Sequence, residues 1–458
     1  MKLSLELDQE PDHVFTFGDS ILGELELKTE VSTYIKSMIV RISGISLTNV
    51  EDTLSPRNRR TVRKIIDDKI VLFPKPQDMT DQPLELSAGK YLYSFIIDIN
   101  DPAKYDDLLD PNISPAGYGV LGEYKCKKVN IPLQFPPSFN HKSLQGNAKV
   151  TYSLIGELVL ENGKVIQTTK KIRFAPLNRA LAYSLRHLCQ LYSRPPNSTP
   201  TLLRNTCFLE TQITVPVSNK HCLQKGFLNI KSSQKSKMNI PLVVACEFKP
   251  YLPRHTSLAV SNRFLQTHNP LSDFINIHIV SPLSPSTIQA LTGSTQTPIK
   301  LEYFKISLTQ KIIFGSTAKR LDTKDIPLID IEEPLSLDFK PIPAERYQLS
   351  SSYLEKWEPF LDHRQYYQFT VPKKLLSKPI PNLPQSFIYH NIQNDYHLDV
   401  KSIIGSGNHR TPIGCDCPVV MLGPEEQTVD VVPEYSEKIR SGEVFVEVTN
   451  EVLPMYSL

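Results

Sequence analysis

Glycine, tryptophan and cysteine are scarce in this sequence, and long apolar segments are missing from it. The 458 residues include only 18 glycines, one tryptophan and seven cysteines. A transmembrane helix needs about 18 or more consecutive apolar residues, and no run in the chain approaches that length. The N-terminal segment MKLSLELDQEPDHV alternates apolar and polar residues and lacks the apolar stretch of a secretion signal. These absences predict a cytoplasmic protein.

The cysteines are too few and too irregularly spaced for a disulfide framework. Their number is odd, which is typical of reduced thiols in the cytosol. Only Cys415 and Cys417 lie close together, and no second pair or suitably spaced histidine completes a zinc site with them. We therefore predict no metal site, and no motif in the chain indicates a cofactor.

The chain as a whole is nearly balanced in charge, but its C-terminal segment is acidic. The formal net charge is +3, which by itself is too small to predict a nucleic-acid or membrane partner. Residues 424–458 contain eight acidic and two basic residues, which gives −6 for this tail and leaves +9 for the rest of the chain. The tail therefore differs in kind from the body, and it is too polar to form a core of its own.

Proline is abundant, and the apolar residues alternate with polar ones. The chain contains 37 prolines, which argue against long helices and favour short strands with rigid connections. The clearest alternating sets are Leu3, Leu5 and Leu7; Leu25 and Leu27; Val150, Tyr152, Leu154, Leu158 and Leu160; Phe304, Ile306, Leu308, Ile312 and Phe314; and Tyr396, Leu398 and Val400. Such half-buried strands predict an all-β protein made of two tandem antiparallel β-sandwiches, each with seven or eight strands.

Local signals divide the chain into four regions. Asn162-Gly163 between two alternating runs predicts a hairpin with a type I′ turn, which needs a positive φ twice. Leucine spacing predicts one helix over 178–192, SRPPNSTPT at 193–201 is typical of a linker, and 281–298 is interpreted as a proline-rich connection. The predicted regions are an N-terminal sandwich at 1–176, a helix and linker at 177–206, a C-terminal sandwich at 207–423 and an acidic tail at 424–458.

One short block points towards an enzyme. Phe17-Gly18-Asp19-Ser20-Ile21 resembles the FGDSL block of GDSL-type esterases, in which the serine is the nucleophile. Such a serine needs a histidine base, an orienting acid and oxyanion donors. The alternating segment LGELELKTE that follows predicts a strand instead of a helix, and the oxyanion blocks of that family are absent. We therefore interpret Gly18-Asp19 as a tight turn between strands and predict no catalytic residue.

A basic cluster lies in the segment SPRNRRTVRK. Its members are Arg57, Arg59, Arg60, Arg63 and Lys64. The cluster could contact anionic lipid headgroups or a phosphorylated partner through charge-assisted hydrogen bonds. Alternatively, it belongs to a solvated loop or strand edge, where lysine and arginine discourage aggregation. We favour the second interpretation and keep the first as an alternative.

Several strand-turn-strand blocks resemble those of the arrestin family and occur in the order of that family. In the first half they are FTFGDSILGELELKTE (15–30), ELSAGKYLYSFIIDI (85–99) and LQFPPSFNHKSLQGNAKVTYSLIGEL (133–158). In the second half they are IKLEYFKISLTQKIIF (299–314), a proline-rich hairpin at 369–404 and CPVVMLG (417–423). The resemblance covers nearly the whole body, and it implies an arrestin fold of two immunoglobulin-like sandwiches.

The tail narrows the resemblance to the α-arrestins, which are arrestin-related trafficking adaptors. In that family, C-terminal Pro-Pro-x-Tyr motifs bind WW domains of HECT-type ubiquitin ligases. Two similar blocks end this chain, with Val432 and Leu453 at the place of the first proline. A WW domain holds the second proline in an aromatic slot and the tyrosine in a separate pocket. Each motif of this chain keeps both residues, and we expect it to bind more weakly than a full Pro-Pro-x-Tyr motif. The implied WW-binding residues are Val432, Pro433, Tyr435, Leu453, Pro454 and Tyr456.

The resemblance implies a non-catalytic adaptor that links membrane transporter or receptor cargo to a WW-domain HECT ubiquitin ligase for endocytosis and sorting. It also implies recruitment from the cytoplasm to the plasma membrane or endosomes, through peripheral contact and without nucleic acid. Two alternatives remain open. One is an arrestin-like sorting scaffold that works without a ligase, and the other is a GDSL-type esterase with Ser20 as nucleophile.

Overall fold

The N-terminal half of the chain folds into two β-sheets. A computed structural model describes residues 1–16, 19–51, 59–74, 83–99, 136–175, 206–216, 237–249, 263–292, 299–315, 319–347, 349–389, 391–406 and 409–422. Up to residue 175, the strands are β1 (Lys2–Leu7), β2 (Val14–Phe15), β3 (Ser20–Thr29), β4 (Thr33–Val50), β5 (Arg59–Phe73), β6 (Leu84–Leu86), β7 (Gly89–Asp98), β8 (Phe139–Ser143), β9 (Gly146–Leu160) and β10 (Val165–Phe174). One sheet has the order β1-β3-β7. The other has the order β2-β10-β9-β4-β5, with β6 added to β4 and β8 added to β9.

In the C-terminal half, the described residues between 206 and 422 also form two sheets. Its strands are β11 (Thr206–Pro216), β12 (Lys237–Phe248), β13 (Phe264–Gln266), β14 (Ile275–Ser281), β15 (Lys300–Phe314), β16 (Arg320–Ile331), β17 (Leu335–Ser336), β18 (Lys340–Pro343), β19 (Gln365–Thr370), β20 (Phe387–Tyr389), β21 (Ile392–Ser406) and β22 (His409–Leu422). The helices are α1 (Pro285–Thr292), α2 (Ser351–Leu354) and 3-10 turns at Leu271–Asp273, Ala344–Arg346, Glu355–Phe360 and Lys373–Leu376. One sheet has the order β11-β12-β14-β19-β18, and the other has the order β13-β22-β21-β15-β16 with β17 on β15 and β20 on β21.

The same strand order therefore occurs twice along the chain. The set β13-β22-β21-β15-β16, with β17 and β20, repeats the set β2-β10-β9-β4-β5 with β6 and β8, and β12-β14-β19 repeats β1-β3-β7. In each copy one short strand pairs in parallel with the last strand, β2 with β10 and β13 with β22. The prediction of an all-β sandwich fold is confirmed. These two parallel pairings depart from the prediction that all strands pair antiparallel. A parallel pair needs a long connection between its strands, and here that connection is the chain from β2 to β10 and from β13 to β22.

Alternation explains how each half obtains its core. The alternating set on β9, from Val150 to Leu160, is buried, and so are Leu5 and Leu25 on the facing sheet. Gly156 on β9 marks where the two sheets touch, since a Cβ there would lie 2.5 Å from Leu25 Cδ1. The alternating sets on β15 and β21 are buried in the same way. One face of each long strand therefore forms the interior of a sandwich.

Side chains repeat together with the strand order. In the N-terminal half, Ser138 N–H donates to Phe174 O at 2.7 Å, and Phe174 N–H donates to Ser138 Oγ at 2.9 Å. Tyr152 Oη donates to Pro136 O at 2.6 Å. We call this arrangement the Pro-x-Ser clasp. It ties the segment before β8 to the last strand and to β9.

The C-terminal half contains a second Pro-x-Ser clasp. Ser386 N–H donates to Met421 O at 2.9 Å, and Met421 N–H donates to Ser386 Oγ at 2.9 Å. Tyr396 Oη donates to Pro384 O at 2.9 Å. The two clasps fall within the two proline-serine-phenylalanine blocks of the sequence, 133–158 and 369–404, and their correspondence was missed at the sequence level.

The N–G hairpin forms, but its turn is not type I′. Only Gly163 has a positive φ, +79°, and Asn162 does not. Gly163 N–H donates to Leu160 O, and Leu160 N–H donates to Lys164 O, each at 2.9 Å. The turn is therefore longer than the two-residue loop that was predicted. A right-handed turn followed by a glycine in the left-handed region closes such longer hairpins.

The segment 281–298 is not only a connection, because α1 lies within it. Ser284 caps this helix, with its Oγ accepting a hydrogen bond from Thr287 N–H at 2.9 Å. Pro285 is the first helical residue, where its missing N–H costs nothing. The pair Ser284-Pro285 is therefore the sequence signal for this helix. Ile288 then buries itself in the C-terminal core.

The two halves share one hydrophobic cluster. Phe139 of β8 and Phe387 of β20 follow the two clasps at equivalent positions, and their rings meet edge to face with centroids 5.2 Å apart. The C-terminal residues buried in the N-terminal core are Ile312, Phe314, Phe387, Tyr389 and Ile392. The halves are therefore joined by core packing as well as by the chain.

The contacts on either side of this ring pair are reciprocal. Two residues after Phe387, Tyr389 Oη donates to Lys64 O on β5 at 3.3 Å. Two residues after Phe139, His141 Nε2 lies 2.8 Å from Asp322 Oδ2 on β16. β5 and β16 are equivalent strands in the repeat. The β20–β21 hairpin therefore contacts the edge strand of the N-terminal half, and the equivalent β8–β9 hairpin contacts the edge strand of the C-terminal half.

Asn391, at the tip of the β20–β21 hairpin, bonds to the N-terminal half. Its Oδ1 accepts a hydrogen bond from Ser46 Oγ at 2.8 Å, and its Nδ2 donates to Thr48 Oγ1 at 3.2 Å. All three residues are buried. Because a buried polar group without a partner is costly, these bonds fix where the hairpin enters the N-terminal core.

We expect Asn391→Ala to lower the free energy of unfolding by about 2 kcal/mol, because the buried hydroxyl groups of Ser46 and Thr48 lose their hydrogen bonds to Asn391. The control is Gln167→Ala, which removes an exposed hydrogen bond to Glu157 and should change stability by no more than about 0.5 kcal/mol. Urea unfolding of both variants measures the difference. Equal losses would show that Asn391 does not hold the halves together.

Candidate functional site

The predicted WW-binding motifs lie outside the described residues, which end at Leu422. The same is true of the helix at 178–192, the linker at 193–201 and Arg57. The boundaries of the four predicted regions and the roles of the two tail motifs therefore remain predictions. Phe17 and Gly18 also lie outside the described residues, whereas Asp19, Ser20 and four members of the basic cluster lie within them.

Four basic residues of the cluster lie on β5, at the edge of the N-terminal seven-stranded sheet. Arg59 and Arg63 lie opposite Val50 and Ser46 of β4, whereas Arg60 and Lys64 lie opposite Asn49 and Ile45. Because successive side chains of a strand point to opposite faces, the four residues divide into two pairs. The structure therefore places them on a strand edge, and they do not form one continuous patch.

The pair Arg59 and Arg63 points to the side on which the C-terminal half packs. Burial raises the pKa of Tyr389 to about 12, and the charge of Arg63 works against this rise. The guanidinium of Arg63 is therefore close to the hairpin that joins the halves. An anion bound here would contact the boundary between the halves.

The pair Arg60 and Lys64 points to the outer face of the sheet. Lys64 Nζ is paired with Asp67 Oδ2. Val62, which lies between Arg60 and Lys64 on the strand, is 51% exposed. A β-bulge follows at Ile65, where the register with β4 shifts. The outer face is thus a mixed apolar and basic surface in which one of the two charges already has a partner. A contact with lipid headgroups or phosphate remains a prediction.

Ser20 begins β3, which confirms the strand predicted after the FGDSI block. Asp19 Oδ2 accepts a hydrogen bond from Thr16 N–H at 2.8 Å, so the end of β2 and the start of β3 lie close together. Ser20 Oγ donates to Asp98 Oδ1 at 2.7 Å, and Ser20 is exposed. Its hydroxyl is therefore bound by a carboxylate from the neighbouring strand, without a histidine between them.

A charged cluster that the sequence did not predict lies on the C-terminal five-stranded sheet. Glu247 on β12 is bound by His278 Nε2 at 2.9 Å and by Arg346 Nη2 at 3.0 Å. His278 Nδ1 lies 3.0 Å from the hydroxyl of Thr370. The hydrogen bond from His278 and the charge of Arg346 lower the pKa of Glu247 to about 2, against the effect of burial.

The order hydroxyl, imidazole, carboxylate in this cluster is that of a nucleophilic triad, but its surroundings favour a structural role. The hydroxyl of Thr370 also accepts a hydrogen bond from Gln368 Nε2 at 3.0 Å. Arg346 belongs to the segment that covers the outer face of the sheet, where Ala344 and Tyr347 pack on it. The cluster therefore fastens this cover to β12. Its members are too far apart in the chain for any spacing motif to reveal them.

Comparisons with known proteins assign nothing further. No protein-family model matches the chain, and no curated protein matches it. In the part of the chain that the structure describes, no helix is both long enough and apolar enough to cross a membrane. Within the same residues, no three side chains of histidine, cysteine, aspartate or glutamate are placed to hold a metal ion.

Glu247→Gln should destabilise the protein by about 2 kcal/mol at pH 7, because charge-assisted hydrogen bonds are lost. The folded-state pKa of Glu247 lies below its ordinary value of 4.5, at about 2. Its carboxylate therefore stabilises the fold fully above pH 4.5, and this stabilisation is lost as the pH falls from 4.5 to 2. The variant should show a smaller loss of stability over that range in urea unfolding.

The control for this measurement is Glu345→Gln, which changes an exposed carboxylate next to Arg346 and should leave the acid dependence of the wild type intact. If Glu247→Gln and Glu345→Gln gave the same curve of stability against pH, the charged cluster would not fasten the cover.

Ser20→Ala should change stability by no more than about 0.5 kcal/mol, since its side chain and its hydrogen bond are exposed. A fluorophosphonate probe, which labels activated serines, should leave the wild-type protein unlabelled, with a known serine esterase as positive control. Labelling of the wild type that disappears in Ser20→Ala would overturn the turn interpretation and favour the esterase.

Proposed function

We propose that the protein is a non-catalytic adaptor of the α-arrestin kind. In this role its β-sandwich body engages membrane transporter or receptor cargo, and its acidic tail recruits a WW-domain HECT ubiquitin ligase. The cargo is then ubiquitylated and sorted by endocytosis. The adaptor works from the cytoplasm and is recruited to the plasma membrane or endosomes.

The observation that carries this proposal is the doubled clasp. The arrestin-like blocks at 133–158 and 369–404 each contain a Pro-x-Ser clasp, bonded at equivalent positions of the repeated strand order. Two sequence blocks that were compared with the family separately thus occupy equivalent positions in the two halves. A repeat of this kind is expected of a chain built from two similar sandwiches, and it therefore supports the resemblance.

The body offers large sheet surfaces, as an adaptor requires. The outer face of the N-terminal seven-stranded sheet combines basic side chains with half-buried apolar ones such as Ile45 and Leu47. Apolar area surrounded by charge is typical of surfaces that bind other proteins. We assign cargo or membrane contact to this face, with Arg60 and Lys64 among its residues.

The tail provides the second attachment. Tyr435 and Tyr456 each supply an aromatic ring for a WW pocket, and Pro433 and Pro454 supply a ridge that is already extended. Two weak motifs 21 residues apart can bind tandem WW domains together, which raises the local concentration of the second motif once the first has bound. Duplication therefore offsets the missing first proline.

The deciding measurement is titration of the full-length protein against tandem WW domains. Tyr435→Ala or Tyr456→Ala alone should weaken binding by about 10- to 100-fold through loss of avidity, and the double variant should abolish it. Val432→Pro should tighten binding, because it stiffens the segment before recognition. Glu443→Gln, in the tail but outside both motifs, serves as the control and should bind as the wild type does.

Wild-type affinity in the Tyr435→Ala/Tyr456→Ala variant would remove the ligase from the proposal. The ligase-independent sorting scaffold would then be favoured, since it uses the same body without the tail motifs. Co-purification of membrane cargo with the body, with and without residues 424–458, separates these two functions.

A further inference from the structure

Four cysteine side chains pack in or against the hydrophobic core of the C-terminal half. They lie on three strands, and all are in the thiol form. Cys246 and Cys417 are completely buried, Cys415 is nearly so, and Cys207 is half-buried. All four contact the same hydrophobic cluster between the two sheets. We call Cys207, Cys246, Cys415 and Cys417 the thiol cluster.

Cys207 and Cys246 occupy positions at which two strands can be joined by a disulfide. They are direct partners in the antiparallel pairing of β11 and β12, so their side chains lie on the same face of the sheet. Direct antiparallel partners have Cα atoms about 4.5 to 5.5 Å apart, and disulfides span Cα distances of about 4.4 to 6.8 Å. A bond between the two sulfur atoms therefore requires no movement of the strands past each other.

Cys415 and Cys417 approach from the opposite sheet. They are two residues apart on β22 and both are buried, so both point into the core. A hydrogen bond with Cys417, together with burial, raises the pKa of Cys246 well above its ordinary value. Cys246 is therefore kept as a neutral thiol and is slow to react with an oxidant by itself.

We propose that Cys207 and Cys246 are a peroxide-dependent disulfide site, in which the half-buried Cys207 reacts first and Cys246 resolves it. This site is independent of the adaptor function proposed above. Cys207 is the most exposed member of the thiol cluster, and access by the oxidant selects among cysteines. The buried partner then needs only to reach across the strand pair.

The reaction uses one hydrogen peroxide molecule for each disulfide. The Cys207 sulfur attacks a peroxide oxygen, so that an S–O bond forms, the O–O bond breaks, and one water leaves with the thiol proton. The Cys246 sulfur then attacks the Cys207 sulfur, so that the S–S bond forms, the S–O bond breaks, and a second water leaves. Two thiols are oxidised and the peroxide is reduced to two waters.

The disulfide would fasten the first described strand of the C-terminal half. β11 lies at the edge of its sheet and is also bonded to the facing sheet, since Thr214 N–H donates to Thr411 Oγ1 at 3.2 Å. A covalent link at Cys207 closes the chain between residues 207 and 246, which reduces the freedom of the unfolded chain. Oxidation should therefore raise the midpoint of thermal unfolding by several degrees.

Peptide mapping of the full-length protein tests the site. The reduced protein is treated with hydrogen peroxide, remaining thiols are blocked with N-ethylmaleimide, and the protein is digested with trypsin. Cleavage after arginine and lysine separates Cys207 (205–220), Cys246 (238–254) and the pair Cys415 and Cys417 (411–438) into three peptides. We expect a disulfide between the first two peptides and none involving the third.

Two matched variants complete the test. Cys207→Ser should lose both the cross-linked peptide and the rise in the thermal midpoint, whereas Cys415→Ser, another member of the thiol cluster, should keep both. Circular dichroism of each variant before treatment confirms that it is folded. The proposal is overturned if the folded wild type forms no link between Cys207 and Cys246, or if Cys246 links to Cys417 while Cys207 stays a thiol.

Discussion

The architecture depends on the way a serine in each half bonds to the strand that ends that half. Ser138 and Ser386 each exchange two hydrogen bonds with the last strand, one through the backbone and one through the hydroxyl. Because the strands β8 and β20 begin at the next residue, this clasp decides where Phe139 and Phe387 emerge. These two rings then meet at the boundary between the halves. The shared core therefore follows from a local backbone constraint that is applied twice.

In the C-terminal five-stranded sheet, the strand β12 is covered on both faces. It is buried at seven successive positions, Ile240–Cys246, because one face belongs to the main core and the other lies under Ala344 and Tyr347. A strand covered on both sides has a continuous apolar sequence instead of an alternating one. The charged cluster of Glu247 follows directly after this run, where the cover needs a polar attachment.

Sequence reasoning worked where one physical effect dominated. The strands β9, β15 and β21 were predicted correctly because each alternates a buried face with a partly exposed one. The type I′ turn was wrong, and α1 was missed, because turn geometry and helix capping depend on only two or three residues. The basic cluster was predicted in a solvated loop or at a strand edge, and it lies at a strand edge. Strand alternation, however, separates Arg63 from Lys64, which a list of neighbouring charges cannot show. The cluster of Glu247 was not predictable, since its members converge only after folding. The tail motifs still rest on the sequence alone.

The reciprocal contacts around Phe139 and Phe387 have a consequence for how such a chain can arise. Tyr389 meets β5 of one half as His141 meets β16 of the other, so the boundary has the self-complementary pattern of a two-fold homodimer interface. In such an interface every favourable substitution acts twice. Once two copies are fused into one chain, each copy can change alone. Within this chain the two hairpin tips differ: Asn391 is buried against the N-terminal half, whereas Leu144 at the tip of the β8–β9 hairpin is 95% exposed.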